Sequence, residues 1–454
     1  MKMIFDVEAK PKFGQLVIFA IQQMLAIMAA TIAVPMIIGN GLTPAAAMFG
    51  AGCGTITYQL FTKFKSPVFL GSSFAFIGSM LAAFAGGVSM SLGLLGLIIG
   101  AISAGLVYVI IAAIIKVAGV EWLNKLMPPV VIGPTVAIIG LSLAGNAIGD
   151  LTKGDVAGVD GVMLTSPYVA LICGFVTLAV TMLCSTYGKK MARLVPFILG
   201  ILAGYAVATI LTFIGNWTGI DAIKVIDFSV FTSYMLPEGV VSLDTFFSIP
   251  NFTFLGAIDG FAEINLSYVL TIVVAFVPVA FVVFAEHVAD HKNLSSIIER
   301  DLLAEPGLSR TLLGDGIGSM VGAFFGGCPN TTYGESVGCV AITKNASVRT
   351  ITTAAIGCII VSFITPLVAF VDSIPACVMG GVCVALYGFI AVSGLKMLQE
   401  VDLNKNRNLF TASVILISGI GGLTLSFGNV TITSIATALI LGILTNRMLA
   451  KERD

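Results

Sequence analysis

Residues 328 to 344, Cys-Pro-Asn-Thr-Thr-Tyr-Gly-Glu-Ser-Val-Gly-Cys-Val-Ala-Ile-Thr-Lys, stand where a transmembrane helix belongs but lack the chemistry of one. Pro329, Gly334 and Gly338 interrupt a helix, and Asn330, Thr331, Thr332, Ser336 and the ionisable Glu335 cannot face lipid tails. Such backbone survives at membrane depth only under a cover of protein or around a cavity, so the rest of the chain must supply that cover. A broken, polar half-helix whose first N–H groups face a cavity is the pattern of a transport site.

The surroundings are apolar enough to make the argument. The chain has 454 residues, 57% hydrophobic and 10% charged, with mean hydropathy +1.04, which identifies an all-α polytopic membrane protein. No apolar run precedes residue 13, so a cleavable signal peptide is not expected. Apolar runs of spanning length are expected at 14–38, 42–62, 67–85, 90–115, 127–148, 166–186 and 194–215, and again at 265–290, 311–327, 332–345, 349–371, 376–397, 408–427 and 430–447. With the N-terminus in the cytoplasm, every one of the 23 Lys and Arg residues except Lys153 and Lys224 falls on the inner side, Lys2, Lys190, Lys451 and Arg453 included. Moving a single span would scramble every later loop, so the sequence predicts fourteen spans with both termini cytoplasmic.

Seven spans in each half is an odd number, so the second half enters the membrane from the opposite side to the first, as two inverted repeats. The third span of each half should then correspond. Pro67-Val-Phe-Leu-Gly-Ser-Ser-Phe-Ala-Phe-Ile-Gly78 lies opposite Cys328 to Gly338, each with a proline, small polar residues, an aromatic and glycines. Spans 3 and 10 are therefore expected as short extended segments and half-helices pointing at each other near the midplane. Residues 216–264, with Asp221, Asp227, Glu238, Asp244, Asp259 and Glu263, read as an acidic external segment, and 291–310 as a charged cytoplasmic linker. The eight cysteines show no CxxC spacing and read as inert membrane thiols.

Four acidic residues fall within these spans, Glu286, Asp290, Asp315 and Glu335, and each is a functional candidate because an unpaired carboxylate at that depth costs several kcal/mol. Glu286 and Asp290 share a helix face about one turn apart. Two carboxylates so close in a poorly hydrated site should not both ionise, which suits a proton-coupled carrier. Asp290, followed by His291 and Lys292, also reads as a cap or ion pair at the cytoplasmic end of its span, and Asp315 as a helix N-terminal carboxylate favoured by the dipole. His287 and His291 suggest pH sensing or, more plainly, solvated or hydrogen-bonded imidazoles. Two carboxylates, a glycine-rich half-helix start and the aromatics Phe74 and Tyr333 suit a flat, neutral amide ring: carboxylates accept its N–H groups, backbone N–H groups donate to its carbonyls, and aromatic faces pack on the ring. No Lys or Arg occurs at 66–115 or 265–291, which disfavours an inorganic anion. The spans hold no nucleophile–base pair or His-rich metal cluster, so no enzyme is expected.

Gly71-Ser-Ser-Phe-Ala-Phe76, Ala285-Glu-His-Val288, Asp301-Leu-Leu-Ala-Glu-Pro-Gly-Leu308 and Pro329-Asn-Thr-Thr-Tyr-Gly-Glu335, continuing through Gly338 to Thr343-Lys344, resemble the nucleobase-cation symporter-2, or nucleobase-ascorbate transporter, family, most closely its uracil permease branch. The resemblance implies a core domain, residues 14–115 and 265–371, and a gate domain, residues 116–215 and 372–449, with the external segment 216–264 between the halves. It implies substrate held by Glu286, Glu335, Phe74, Gly334 and Tyr333, and a coupling ion associated with Glu286, Asp290, Asp315 and Gln23. It also implies uracil import across the cytoplasmic membrane by proton symport and alternating access, a homodimer formed through gate domains, no cofactor beyond the coupling ion, and no nucleic-acid partner. Three departures from the family pattern stand out: Asp290 where uracil permeases often carry His, Gln22-Gln23 in place of Gln-His, and Ser336 in place of Asn. They leave H⁺ or Na⁺ open as the coupling ion, and a xanthine- or guanine-type carrier open as the alternative. An anion transporter of the same architecture is the more remote alternative.

Overall fold

The computed structural model describes residues 3–119, 121–158, 162–189, 191–236, 239–427 and 430–450. Lys2, Lys190, Glu238, Lys451 and Arg453 lie outside them. Helices α1 (Phe13–Ile38) and α2 (Pro44–Phe61) are followed by strand β1 (Leu70–Ser72), a 3-10 turn over Phe74–Phe76, the short helix α3 (Ile77–Ala83) and the long α4 (Met90–Ala118). Next come α5 (Glu121–Leu126), α6 (Pro129–Ser142), α7 (Ala144–Asp150), α8 (Pro167–Tyr187), α9 (Met191–Leu194) and α10 (Pro196–Thr218). Among its described residues the external segment carries short helices, among them α11 (Ser229–Met235) and α12 (Thr253–Gly256).

The second half opens with α13 (Leu266–Ile298) and α14 (Leu308–Gly326), then strand β2 (Asn330–Thr332), α15 (Gly334–Thr343), α16 (Val348–Val361) and α17 (Thr365–Asp372). It closes with α18 (Ala376–Leu398), α19 (Asn406–Ile420), the strands β3 (Leu425–Phe427) and β4 (Val430–Ile432), and α20 (Ser434–Met448). Among the described residues, seven helices are long and apolar enough to cross a membrane: α1, α4, α6 with α7, α8, α10, α13 and α18. Large apolar side chains such as Ile110, Ile172, Phe213, Ile360 and Ile417 point outward from the helices, as a lipid-facing surface requires. This is a multi-pass membrane protein.

Three boundaries differ from the sequence expectation. The run expected at 265–290 continues as helix to Ile298, which moves Asp290 from the end of a span into the body of α13. The run expected from 311 begins at Leu308, so Asp315 sits about two turns inside α14 and is no N-terminal carboxylate. The run expected at 408–427 ends as helix at Ile420, where Gly421 and Gly422 follow, the latter at φ +71°, and the chain turns into the β3–β4 pair.

Small residues set the packing. On α2, Gly50 and Gly54 lie against the backbone of Gly322 and Gly318 on α14, and Gly105 of α4 lies against Gly316 of the same helix. Without a hydrophobic drive between helices in lipid, such close backbone approach is what holds them. In one group of helices α2 and α4 pack on α14, α16 and α1 pack on α2, and α13 packs on α4; in the other α6, α8 and α10 pack on α18, with α19 against α6 and α20. Below the first group, residues 4–7 run beside residues 344–348, with Ile4 N donating to Lys344 O at 2.8 Å and Ala346 N to Phe5 O at 2.8 Å.

Candidate functional site

The site is built on the pairing of the two broken runs. Strands β1 and β2 are antiparallel, with Leu70 opposite Thr332, Gly71 opposite Thr331 and Ser72 opposite Asn330. Strands this short cannot satisfy their own backbone, and neighbouring side chains complete the work. The Thr55 hydroxyl on α2 donates to Leu70 O at 3.1 Å and accepts from Leu70 N at 2.9 Å. Ser73 N donates to Pro329 O at 2.9 Å, and the buried Asn330 carboxamide donates to Gly50 O at 3.2 Å. Tyr333 lays its ring over Gly71, where any Cβ would collide with it, and its hydroxyl donates to Ser72 O at 2.7 Å.

This pairing brings two helix starts together, the Phe74 turn leading into α3 and Gly334 opening α15. The first-turn N–H groups of a helix have no partner within it, and here they come to the edge of a cavity of about 380 Å³ lined by Phe74, Tyr333, Gly334, Glu335, Glu286 and Asp290. All five residues expected to bind substrate therefore meet at one cavity. The far wall is apolar and comes from the other group of helices, with Val136 and Ile139 of α6, Phe197 of α10 and Leu386, Phe389 and Ile390 of α18. Phe74 meets Tyr387 of α18 edge-on at 5.8 Å between ring centroids. No Lys or Arg is among the cavity's lining residues.

Of the residues expected to couple an ion, Glu286 and Asp290 line the cavity, and the Thr332 hydroxyl donates to Asp290 Oδ2 at 2.7 Å. Asp315 and Gln23 do not line it. Asp315 is fully buried behind α13, with Oδ2 2.7 Å from Nδ1 of His287. Gln23 is buried on α1, and its amide donates to the Ser336 hydroxyl. His287 and His291 are both fully buried rather than solvated; His291 Nε2 lies 2.7 Å from the Tyr58 hydroxyl, which donates to Ser66 at 2.7 Å.

Sequence reasoning missed Thr332 as the partner of Asp290, and it missed the apolar wall. Thr332 carried a usable signal, a hydroxyl in a run already marked as a site. Phe197 and Phe389 carried none, since an aromatic in an apolar helix reads the same whether it faces lipid or a cavity.

Residues 14–427 match the Permease family. The chain is 39% identical to the uracil permease of Bacillus caldolyticus over 99% of its own length and 95% of the relative's. It is 36% identical to that of Bacillus subtilis (strain 168), over 96% and 93%, and 35% identical to that of Escherichia coli (strain K12), over 96% and 92%. The chain belongs to the nucleobase-ascorbate transporter family. Members of this family are permeases, not enzymes. The nucleobase-ascorbate transporter fold also resembles more distant solved structures. The transmembrane domain of the cyanobacterial bicarbonate transporter BicA aligns with a TM-score of 0.57 at 15% identity, over 98% of this chain and all of that one. SLC26A9 aligns with a TM-score of 0.61 at 11% identity, over 97% of this chain and 66% of that one.

Proposed function

We propose that this permease imports uracil across the cytoplasmic membrane by proton symport, with Glu286 and Glu335 accepting the ring N–H groups. The observation that carries the reading is the single cavity in which both carboxylates meet the start of α15 and the aromatic rings of Phe74 and Tyr333. Its volume suits a small ligand. Backbone N–H groups of the first turn serve the ring carbonyls, and the uracil permeases among its relatives favour the pyrimidine over a purine.

Fourteen spans in two inverted repeats, both termini cytoplasmic, accommodate the paired broken runs and the distribution of Lys and Arg. The group around α14 acts as the core domain and the group around α18 as the gate. The substrate sits between them, so rocking one against the other exposes it to alternate sides. Glu286 and Asp290, one helical turn apart at the cavity, hold the coupling proton.

Uptake of labelled uracil into liposomes carrying the purified protein, under a proton gradient and a sodium gradient separately, tests this. Accumulation driven by protons and blocked by unlabelled uracil is the expected result. Accumulation under sodium alone would reassign Asp290 and Thr332 as hard oxygen ligands for Na⁺. No uracil uptake under either gradient would overturn the pyrimidine assignment and move the xanthine- or guanine-type carrier to first place.

A further inference from the structure

The chain passes between the two groups of helices from α4 to α6, from α10 to α13 and from α16 to α18. The last two crossings meet. Ser248 N donates to Phe363 O at 3.0 Å and Thr365 N to Phe246 O at 3.0 Å, which sets Phe247 opposite Ile364 in an isolated antiparallel bridge. The buried Thr365 hydroxyl adds a bond to Asp244 O at 2.8 Å.

Both crossings change sides at this bridge. Before it, the external segment is held by α10, where Thr212 Oγ1 accepts from Val225 N at 3.0 Å and from Ile226 N at 3.1 Å. After it, the segment is held by the other group: Asn251 donates its side-chain amide to Gly41 O at 3.3 Å, and the Phe252 ring meets Phe49 of α2 at 4.8 Å. The second crossing runs the opposite way. Phe363 meets the same Phe49 at 5.7 Å just before the bridge, and beyond α17 the Ser373 hydroxyl lies 2.8 Å from that of Tyr205 on α10. Tyr234 of α11 donates its hydroxyl to Asp372 Oδ2, so the crossings are joined a second time on the α10 side.

We propose that the bridge of Phe247 with Ile364 is a hinge on which the group around α14 turns against the group around α18. This rests on the reading of those groups as core and gate. Two chain segments anchored to the same two bodies, and joined where each passes from one body to the other, leave rotation about the joint as the easy motion. Hinges of this kind are a few residues in loops or at element ends that absorb changes of φ and ψ while the packed helices stay rigid. The bridge lies outside the helices, with α17 starting at Thr365 and α12 at Thr253. Neither Phe247 nor Ile364 lines the substrate cavity, so the hinge acts on the rate of exchange between states and not on binding.

A covalent staple tests this. Residues directly opposite in an antiparallel bridge stand close enough for a disulfide, so Phe247→Cys with Ile364→Cys fixes the joint when oxidised. Labelled uracil uptake into liposomes is measured before oxidation, after it, and after reduction with dithiothreitol, with the wild-type protein treated in parallel. A hinge stays joined through the cycle, so the oxidised variant is expected to keep the uptake of the reduced one. Uptake lost on oxidation and regained on reduction would show that the crossings part during transport, and would overturn the proposal. Ser248→Pro removes one of the two bridging N–H donors and is expected to lower the maximal rate roughly fivefold with the uracil KM unchanged; adding the disulfide should restore the rate. An unchanged rate, or a raised KM at full rate, would count against the hinge, and if this variant fails to fold the staple decides alone. Slow hydrogen exchange of the Ser248 and Thr365 amides is the expected sign that needs no substrate, and fast exchange there would overturn the proposal. If the wild-type protein took up no uracil, the substrate reading would fall, and that exchange would decide for or against the hinge.

Discussion

Nδ1 of His287 lies 2.7 Å from Oδ2 of Asp315, and both side chains are fully buried between α13 and α14. Each is a group that a membrane interior would reject alone, and each supplies what the other lacks. The second imidazole nitrogen of His287 meets the Thr311 hydroxyl at 3.0 Å, so the ring is held from two sides. His287 directly follows Glu286, so this contact fixes the face that α13 turns to the cavity.

Asp315→Ala is expected to strand His287 and destabilise the protein by roughly 3–5 kcal/mol, the usual cost of removing one member of a buried pair. Asp315→Asn keeps an oxygen acceptor and should lose less. Thermal unfolding in detergent checks the order; an alanine variant that melts with the wild type would show that the pair contributes nothing to stability.

Glu286→Ala and Glu335→Ala should each weaken uracil binding by roughly tenfold to a hundredfold, the worth of a hydrogen bond to a charged group. Titration calorimetry with uracil measures this directly. Asp290→Asn keeps a partner for the Thr332 hydroxyl, so binding should change little while the pH dependence of uptake flattens. Steep pH dependence persisting in that variant would remove Asp290 from the coupling mechanism.

Gly71→Ala places a methyl group where the Tyr333 ring lies. Overpacking of this kind costs about 1–3 kcal/mol, and displacement of Tyr333 should also raise the uracil KM. Combining Gly71→Ala with Tyr333→Leu relieves the collision, so the double variant should be more stable than the sum of the two single effects. Strict additivity would mean that the ring and the glycine do not interact.

Outside the membrane, burial pushes Asp155 up to about 6, with Asp227 and Asp150 adding repulsion, even though Ala376 N donates to its carboxylate at 3.2 Å. The folded state thus binds the proton more tightly than the unfolded chain does. The contribution of Asp155 to stability is full below about pH 4, falls as pH rises towards 6, and is absent above it. Asp155→Asn retains the acceptor for Ala376 N without the charge, so at pH 7 it should be more stable by on the order of 2 kcal/mol. Melting curves of the two proteins should converge near pH 4; a variant less stable than wild type at pH 7 would show that the charge itself is wanted there.

The site was legible in the sequence to the extent that its chemistry was out of place. Glu286, Glu335, Gly334, Phe74 and Tyr333 announced themselves through polarity, glycine or the motif around them, and they share one cavity. Asp315 is equally conspicuous in the sequence, yet the structure places it inside α14 rather than at its start. A helix start read from hydropathy is set by where apolar residues resume, whereas the real α14 starts at Leu308, before the charged Arg310. The same holds for Asp290 at the other end of a helix: His291 and Lys292 read as an interface, whereas α13 runs on to Ile298.

Hydropathy and length are properties of contiguous residues, so the sequence alone determined that this chain lives in a membrane, where most of its apolar runs lie and which two of them are broken. Partnership is a matter of distance between residues remote in the chain, and only the tertiary structure decided it. The fold set Leu70 opposite Thr332, gave Asp315 to His287 and Gln23 to Ser336, and brought Phe197 and Phe389 to the wall of the cavity. The physical reason is that a buried polar group must be satisfied by whatever the fold brings within about 3 Å, and nothing in the local sequence encodes which helix that will be.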